Sequence, residues 1–287
     1  MSAIYKRELR GYFSGMTGYI FIALMLAITG VYSTYYNFKS NSPNFEYALY
    51  GTTFIFLILV PILTMRSFAE ERQSKTDQRL YSLPMKLSQV VVGKYLAMLT
   101  VYAIPLGVMC FYPLILSTFG PVSFASSYAA ILAYFLLGAA LLAIGMFMST
   151  LTESQAIAAV LAFGALLAVY LMSDLASLVP DTAVGSAVAF GVMVFVIAAI
   201  VYFLTKSSWA AIVVGALGES AVLSVYLWDS SVYESAFSSM LNSLSMFNRF
   251  TPFLYGVFDI GALVYFVSVA CVFVFFSMQS LEKRRWS

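Results

Sequence analysis

The fold is decided by residues 66–94, which read RSFAEERQSKTDQRLYSLPMKLSQVVVGK and separate two long apolar runs. Six of the 15 Lys and Arg residues of the chain fall in this stretch, together with Glu70, Glu71 and Asp77. Because such a density of charge is costly inside a bilayer, the stretch must lie in water. It is the longest part of the chain for which this holds, and the remainder is mostly membrane-spanning.

A short helix is predicted within this stretch, over residues 70–84. Glu71 and Lys75 are spaced i, i+4, an orientation that stabilises a helix. One helix face is formed, at spacing i, i+4, i+7, by Thr76, Leu80 and Leu83. Pro84 ends the helix, because its ring cannot continue one. A short helix with one apolar face outside the membrane is either a docking surface for a partner or a helix on the membrane surface.

The composition excludes a soluble globular protein. The 287 residues are 62% hydrophobic and 10% charged, with a mean hydropathy of +0.90, against about 45–50% apolar and about 25% charged residues in soluble chains. The chain has no His, which removes the commonest general base and metal ligand. Cys110 and Cys271 both lie in apolar runs, so neither a disulfide framework nor a zinc site is expected. No catalytic residue and no metal site is predicted.

Hydropathy predicts eight membrane spans, each near the 20 residues that a helix needs to cross a bilayer. They are residues 17–37, 47–67, 92–117, 127–150, 155–173, 184–204, 209–228 and 256–280. With the N-terminus in the cytosol, 13 of the 15 Lys and Arg residues lie on the cytosolic side, and only Lys39 and Arg249 lie outside. This bias is the one that the positive-inside rule requires, and it predicts that both termini are cytosolic.

Two amphipathic segments flank the spans. Residues 4–13 place apolar and aromatic side chains on one side and Lys6, Arg7 and Arg10 on the other, which predicts a helix on the cytosolic membrane surface. Residues 229–250 are too polar to span the membrane, and their apolar residues recur at helical spacing. We expect an amphipathic helix on the outer surface there; the alternative is a plain loop with scattered apolar residues.

Glu219 is the one carboxylate deep within an apolar run. Ionisable groups at such depth are rare and suggest a place in the transport pathway. The alternative is that its span is short or broken, since Gly215 and Gly218 precede it, so that Glu219 lies near an interface, or that Glu219 pairs with a neighbouring residue.

The sequence has no phosphate-binding loop. Its single Gly-Lys pair, Gly93-Lys94, has Ser88 where the loop needs its first Gly and Tyr95 where it needs Ser or Thr. No extramembrane segment approaches the size of a nucleotide-binding domain. Any ATP hydrolysis must therefore come from another polypeptide.

Two motifs carry a resemblance to a known family. The first comprises residues 67–72 (SFAEER), Thr76-Asp77 and residues 80–84 (LYSLP). It resembles the coupling-helix signature of ABC exporter permeases of the type-2 class, with Lys75 where many relatives carry Gly. The second comprises Phe258-Asp259 and residues 280–286 (SLEKRRW). It resembles the ending of the branch of that class that includes the gliding-motility permeases.

The resemblance implies a single all-α, polytopic permease domain over residues 1–287, in a bacterial plasma membrane, that forms the substrate pathway of an ATP-driven exporter. A separate P-loop ATPase would dock on the coupling helix. The docking residues implied are Glu70, Glu71, Thr76, Asp77, Leu80, Leu83 and Pro84. That ATPase would bind ATP and Mg²⁺, and this chain would bind no cofactor.

The implied complex contains two ATPases and two permease chains, identical or homologous. An extracytoplasmic auxiliary subunit is a further candidate partner, and no nucleic acid is expected. Relatives usually have six spans, so the surplus here is the hairpin over about 184–228. The rival interpretation is an ion-gradient-driven secondary transporter or channel. Such proteins usually need paired ionisable groups or broken helices at the midplane, whereas this chain offers Glu219 alone.

Overall fold

The computed structural model of the chain describes residues 2–40, 42–75, 87–205 and 207–285. These residues form helices joined by loops and contain no β-strand, so the predicted all-α polytopic fold is confirmed. In chain order the α-helices are α1 (Ser2–Ser14), α2 (Thr17–Ser33), α3 (Phe45–Thr52), α4 (Phe56–Thr64), α5 (Ala69–Gln73), α6 (Leu87–Met109), α7 (Tyr112–Leu116), α8 (Phe124–Leu151), α9 (Gln155–Tyr170), α10 (Met172–Leu178), α11 (Ala183–Thr205), α12 (Ser208–Trp228), α13 (Ala236–Leu244), α14 (Thr251–Leu254) and α15 (Ile260–Arg285).

Six stretches of the described chain are long and apolar enough to cross a membrane. They are Thr17–Lys39, Phe45–Gln73, Leu87–Leu116, Phe124–Leu151, Ala211–Trp228 and Ile260–Lys283. The first extends α2 by a π-helical turn over Thr34–Lys39, and the second joins α3 and α4 through a 3-10 turn. Helices α9 and α10 together make a seventh candidate with a break between them.

Each of the eight predicted spans coincides with one of these helices or with α11. The described apolar part of α11, Ala183–Ala199, is shorter than a lone span. The structure therefore supports six or seven spans, and the number eight stays a prediction.

The chain forms two compact units. The first contains Met1–Val169 and Arg249–Ser287. Its centre is α8, which packs against α4, α6 and α15. The largest fully buried side chains of this unit include Tyr102, Tyr134, Phe56 and Phe250. The hydroxyl of Tyr102 donates to the carbonyl of Tyr134 at 2.7 Å, and the hydroxyl of Tyr134 lies 3.0 Å from that of Thr52. Hydrogen bonds therefore satisfy the hydroxyl groups of the two buried tyrosines.

The second unit contains Tyr170–Asn248. Within it α11 and α12 pack as a hairpin, and α10 packs against α13. The ring of Phe190 on α11 lies 5.7 Å from that of Tyr233 and 5.1 Å from that of Phe237. Helix α13 occupies the middle of the segment 229–250, so the alternative of a plain loop is wrong for residues 236–244. The location of this helix on the outer surface stays a prediction.

Candidate functional site

The ammonium group of Lys94 lies at the centre of an ion-pair cluster. Its side chain is only 2% exposed, and Nζ lies 3.2 Å from Oε1 of Glu8 and 3.1 Å from Oε2 of Glu71. Nζ also donates to the carbonyl of Ser67 at 2.7 Å, and it lies 5.1 Å from the ring centroid of Phe68. A buried ammonium is costly unless it is paired and hydrogen-bonded. Lys94 meets both conditions.

Arg7 supplies a second cation to the same carboxylates. Its Nη2 atom lies 2.6 Å from Oε1 of Glu8 and 2.6 Å from Oε1 of Glu71. Burial lowers the pKa of Arg7, but the hydrogen bonds and charges of the two carboxylates outweigh this effect and raise the pKa above its ordinary value. Each of the two carboxylates thus contacts both cations, and the four charges sum to zero. We refer to Arg7, Glu8, Glu71 and Lys94 as the Lys94 cluster.

Helix α1 brings Glu8 to the cluster because of its residue spacing. Ile4, Glu8 and Tyr12 are four residues apart and therefore share one helix face. Ile4 and Tyr12 are buried, and the hydroxyl of Tyr12 donates to the carbonyl of Leu63 at 3.2 Å. The predicted amphipathic helix over residues 4–13 is present as a helix, but its inward face carries a carboxylate that the apolar pattern did not reveal.

Helix α5, the beginning of the predicted coupling segment, is held at both ends by the end of α8. At its N-terminus the hydroxyl oxygen of Ser149 accepts hydrogen bonds from the backbone N–H groups of Phe68 (3.1 Å) and Ala69 (3.2 Å). Toward its C-terminus the buried guanidinium of Arg72 donates through Nη1 to the carbonyl of Thr150. These contacts satisfy backbone groups that helix ends leave without partners.

The two motifs that carried the family resemblance meet at this same end of α8. The hydroxyl of Thr150, whose carbonyl receives Arg72, lies 3.1 Å from the hydroxyl of Ser280 on α15. Ser280 begins the C-terminal motif SLEKRRW. One cluster of polar contacts therefore connects residues of both motifs.

The continuous helix predicted through Glu71 and Lys75 is wrong. Helix α5 ends at Gln73, and Lys75 has a φ of +54°, the left-handed conformation. The N–H of Lys75 donates to the carbonyl of Arg72 at 3.0 Å, as in a common helix-ending motif that usually employs Gly. The position where many relatives carry Gly is thus the position where the backbone favours Gly.

The predicted docking residues divide into two groups. Glu70 has a side chain that is 49% exposed and lies 3.5 Å from Arg66, whereas Glu71 is 20% exposed and faces inward to the Lys94 cluster. The others lie outside the described residues: Thr76, Asp77, Leu80, Leu83 and Pro84. Docking through these residues stays a prediction, and the geometry of Glu71 favours positioning the segment over touching a partner.

Glu219 lies near the middle of α12, which runs unbroken from Ser208 to Trp228. The alternative of a broken span is therefore wrong. The half-buried carboxylate faces α11, because a Cβ atom added to Gly191 would lie 3.2 Å from Oε2 of Glu219. In the described part of the chain no hydrogen bond or ion pair to this carboxylate is found. Its place in a transport pathway stays a prediction.

Sequence reasoning missed Glu46, a buried carboxylate at the start of α3. The residue is 2% exposed, and the hydroxyl of Ser127 on α8 donates to its Oε1 at 3.0 Å. Its Oε2 has no hydrogen-bond partner among the described residues. The available signal was an acidic residue in the first turn of an apolar helix. No spacing rule connects that residue with Ser127, which lies 81 positions away.

No group of three or more Asp, Glu, Cys or His residues that could hold a metal ion occurs in residues 2–40, 42–75, 87–205 and 207–285. The arrangement at the end of α8 is thus a set of ion pairs and hydrogen bonds. These contacts connect α5 with α1, α6 and α8.

Comparison with known proteins identifies the family. A family model described as "ABC-2 family transporter protein" matches residues 16–184, which is more than half of the chain and includes α5 and Lys94. No curated protein and no solved structure matches the chain. The match, together with the apolar helices that make this a multi-pass membrane protein, shows that the chain belongs to the ABC-2 family of transporter permeases.

Proposed function

We propose that this chain is the membrane-spanning permease subunit of an ATP-driven ABC exporter and is energised by a separate P-loop ATPase that docks on residues 70–84. The observation that carries the proposal is the Lys94 cluster. It ties Glu71, at the start of the docking segment, to a lysine buried within α6. A docked ATPase would therefore act on a segment that is fixed to the transmembrane helices.

In the mechanism that we propose, movement of the docked segment is transmitted to the membrane-spanning helices as by a lever. Closure of two ATPases on ATP would move the docked segments, and α5 would transmit this movement to α6 through Glu71 and to α8 through Arg72. Packed helices shift as rigid bodies because their cores do not deform continuously. The movement would then tilt the walls of the substrate pathway.

The complex that we propose contains two permease chains and two ATPases, with ATP and Mg²⁺ bound by the ATPases. The absence of a phosphate loop from the sequence supports this division. The motifs at 67–84 and 280–286 favour the branch that includes the gliding-motility permeases, for which an extracytoplasmic auxiliary subunit is a candidate partner.

The docking proposal is tested by replacing Leu80 and Leu83 together with Asp. The two charges would enter the face that the ATPase buries, and a desolvated, unpaired charge costs several kcal/mol. We expect the affinity for the ATPase to fall about a hundredfold or more, as measured by titrating the purified complex. Membrane insertion should be unchanged. Full retention of ATPase binding and of stimulated hydrolysis by the double variant would place the docking surface elsewhere.

We further propose that the chain lies in a bacterial plasma membrane with both termini in the cytosol. The distribution of Lys and Arg supports this orientation. In a background with Cys110→Ala and Cys271→Ala, an impermeant thiol reagent added outside should label Ser235→Cys but not Lys75→Cys or Arg284→Cys. Labelling of position 284 from outside would mean an odd number of spans and would contradict the topology.

A further inference from the structure

A cavity of about 160 Å³ lies between α1, the start of α2 and the segment that leads into α5. We call it the Arg66 cavity; its lining residues are Glu8, Gly11, Tyr12, Thr17, Arg66 and Glu70. Because a single water needs about 10–15 Å³ of such space, the cavity has room for several water-sized groups. This is the size of a compact polar group and is too small for an acyl chain.

The lining of the Arg66 cavity carries both signs of charge. Nη1 of Arg66 donates to the hydroxyl of Thr17 at 2.8 Å, and its Nε lies 3.5 Å from Oε2 of Glu70. This Nε is buried and has no hydrogen-bond partner in the part of the chain that the structure describes. The carboxylate of Glu70 faces this Nε, but the Arg66 side chain is 40% exposed, so an acceptor from outside the chain can reach the guanidinium. The carboxylates of Glu8 and Glu70 offer acceptors for a cation beside it.

The position of the cavity favours a ligand from the membrane surface. Thr17, which lines it, is also the first residue of the first membrane-spanning stretch. Next to it, the side chains of Met16 and Tyr19 are 77% and 59% exposed, and the rings of Phe13 and Tyr19 pack at 5.4 Å. Exposed aromatic and apolar side chains at the end of a span are typical of the bilayer interface. This position would place the mouth of the cavity at the depth of the lipid headgroups.

We propose that the Arg66 cavity binds the headgroup of an amine-bearing zwitterionic phospholipid. The guanidinium of Arg66 and the hydroxyl of Thr17 would bind the phosphate, which accepts charge-assisted hydrogen bonds. The carboxylate of Glu70 would accept a hydrogen bond from the primary ammonium, beside Glu8, which the cations of the Lys94 cluster hold. The acyl chains would lie against the exposed side chains of Met16 and Tyr19. The cavity shares Glu70 with the proposed docking segment, but none of the tests below involves an ATPase, so this proposal and the docking proposal can fail separately.

Gly11 allows the cavity to be blocked without disturbing its charges. A Cβ atom added to this residue meets nothing within 4 Å, so the variant Gly11→Leu adds a side chain in open space beside the cavity. Replacing Gly inside a helix also favours the helix. We therefore expect this variant to raise the unfolding temperature of the lipid-free protein and, at the same time, to weaken headgroup binding.

The experiment titrates the purified full-length chain with three phospholipids that have the same acyl chains, counting bound lipids by native mass spectrometry. Phosphatidylethanolamine carries the primary ammonium, phosphatidylcholine carries a methylated one without N–H donors, and phosphatidylglycerol carries no ammonium. We expect phosphatidylethanolamine to bind one site about tenfold more tightly than the other two, the size expected for a charge-assisted hydrogen bond.

Two variants and their controls complete the test. Glu70→Gln and Gly11→Leu should each reduce the preference for phosphatidylethanolamine about tenfold. The matched controls, Glu234→Gln at an exposed position and Gly107→Leu at a helix glycine with nothing within 4 Å, should leave it unchanged. Equal binding of the three lipids, preference for phosphatidylglycerol, or a preference that survives Gly11→Leu would each overturn the proposal. If a variant fails to fold, the lipid comparison on the unaltered chain still decides.

Discussion

Lys94 and Glu219 are both ionisable residues within long apolar helices, but the two compact units treat them differently. In the first unit Lys94 is 2% exposed and contacts two carboxylates and a carbonyl. In the second unit Glu219 is half-buried against Gly191, with no ion pair in the described part of the chain. The surroundings differ in the same way. Of the most apolar stretch of the span that begins with α6 and carries Lys94, 39% is buried within the protein, and of the stretch in α12 none is.

The difference distinguishes a charge that stabilises the fold from a charge that can interact with other molecules. A charge whose partners are all within its own chain holds elements together, and its removal leaves those partners unpaired. A charge without such partners contributes little to folding and can interact with a substrate, a lipid or another subunit. We therefore expect changes at Lys94 to affect the assembly of the fold and changes at Glu219 to affect transport alone.

The largest effect is expected for Lys94→Met. This variant leaves Glu8 and Glu71 with Arg7 as their remaining cation in the Lys94 cluster. Removing one partner of a buried ion pair typically costs about 3–5 kcal/mol. The free energy of unfolding in detergent should fall by this amount, and, if the proposed ATPase docks here, stimulation of its hydrolysis should be lost as well.

Lys39→Met is the matched control for Lys94→Met. Lys39 is exposed, and its ammonium lies 5.6 Å from the ring centroid of Tyr35. Loss of such an exposed contact should cost at most about 1 kcal/mol. Equal stability of the two variants would contradict the structural role assigned to Lys94.

A smaller effect is expected for Gly138→Ala, which probes the tight packing of the first unit. A Cβ atom at position 138 would collide with the ring of Tyr102, which is fully buried and whose hydroxyl is held by the carbonyl of Tyr134. Overpacking of this kind costs about 1–3 kcal/mol of unfolding free energy.

Two other glycines sharpen this test. Gly107→Ala, on the same helix as Tyr102, meets nothing within 4 Å and should not destabilise the protein. Gly218→Ala would collide with Val194 in the hairpin, but this valine is only half-buried and can move. Thermal unfolding should therefore rank Gly138→Ala as the least stable of the three. A Gly138→Ala variant as stable as Gly107→Ala would mean that α6 and α8 pack less closely than described.

The smallest effect on stability is expected for Glu219→Gln. Because the carboxylate has no ion pair among the described residues, the free energy of unfolding should change by no more than about 0.5 kcal/mol. If Glu219 lines the pathway, transport by the reconstituted complex should fall while complex assembly is retained. Unchanged transport would instead mean that Glu219 has no role in transport and only packs between α11 and α12.

The predictable part of the candidate site was the part with a local signal. The pattern of residues 4–13 predicted the helix that carries Glu8, and the motif at 67–72 indicated where α5 lies. The resemblance implied that Glu71 is a docking residue, and its spacing to Lys75 predicted that the helix continues past it. The left-handed backbone of Lys75 ends that helix instead, and Glu71 turns to Lys94. Lys94 itself was counted among the cytosolic cations and compared with the lysine of a phosphate-binding loop, and no structural role was predicted for it.

The sequence by itself determined the class of the protein. A helix that spans lipid must satisfy its own backbone hydrogen bonds and needs about 20 apolar residues in a row. Such a run can be recognised in the sequence without knowing which helices pack against it. Local sequence patterns of this sort also show the polar stretch between the second and third spans and the family motifs. They therefore sufficed to predict the candidate spans and the family.

Only the tertiary structure decided which polar groups meet. The ion pair of Arg7 with Glu71 joins residues 64 positions apart, and the hydrogen bonds of Ser149 to Phe68 and of Ser127 to Glu46 each join residues 81 apart. Such pairs depend on how helices rotate and pack against one another, which no local spacing records. Lys94, surrounded by apolar residues in sequence, has its carboxylates only because α1 and α5 fold against α6.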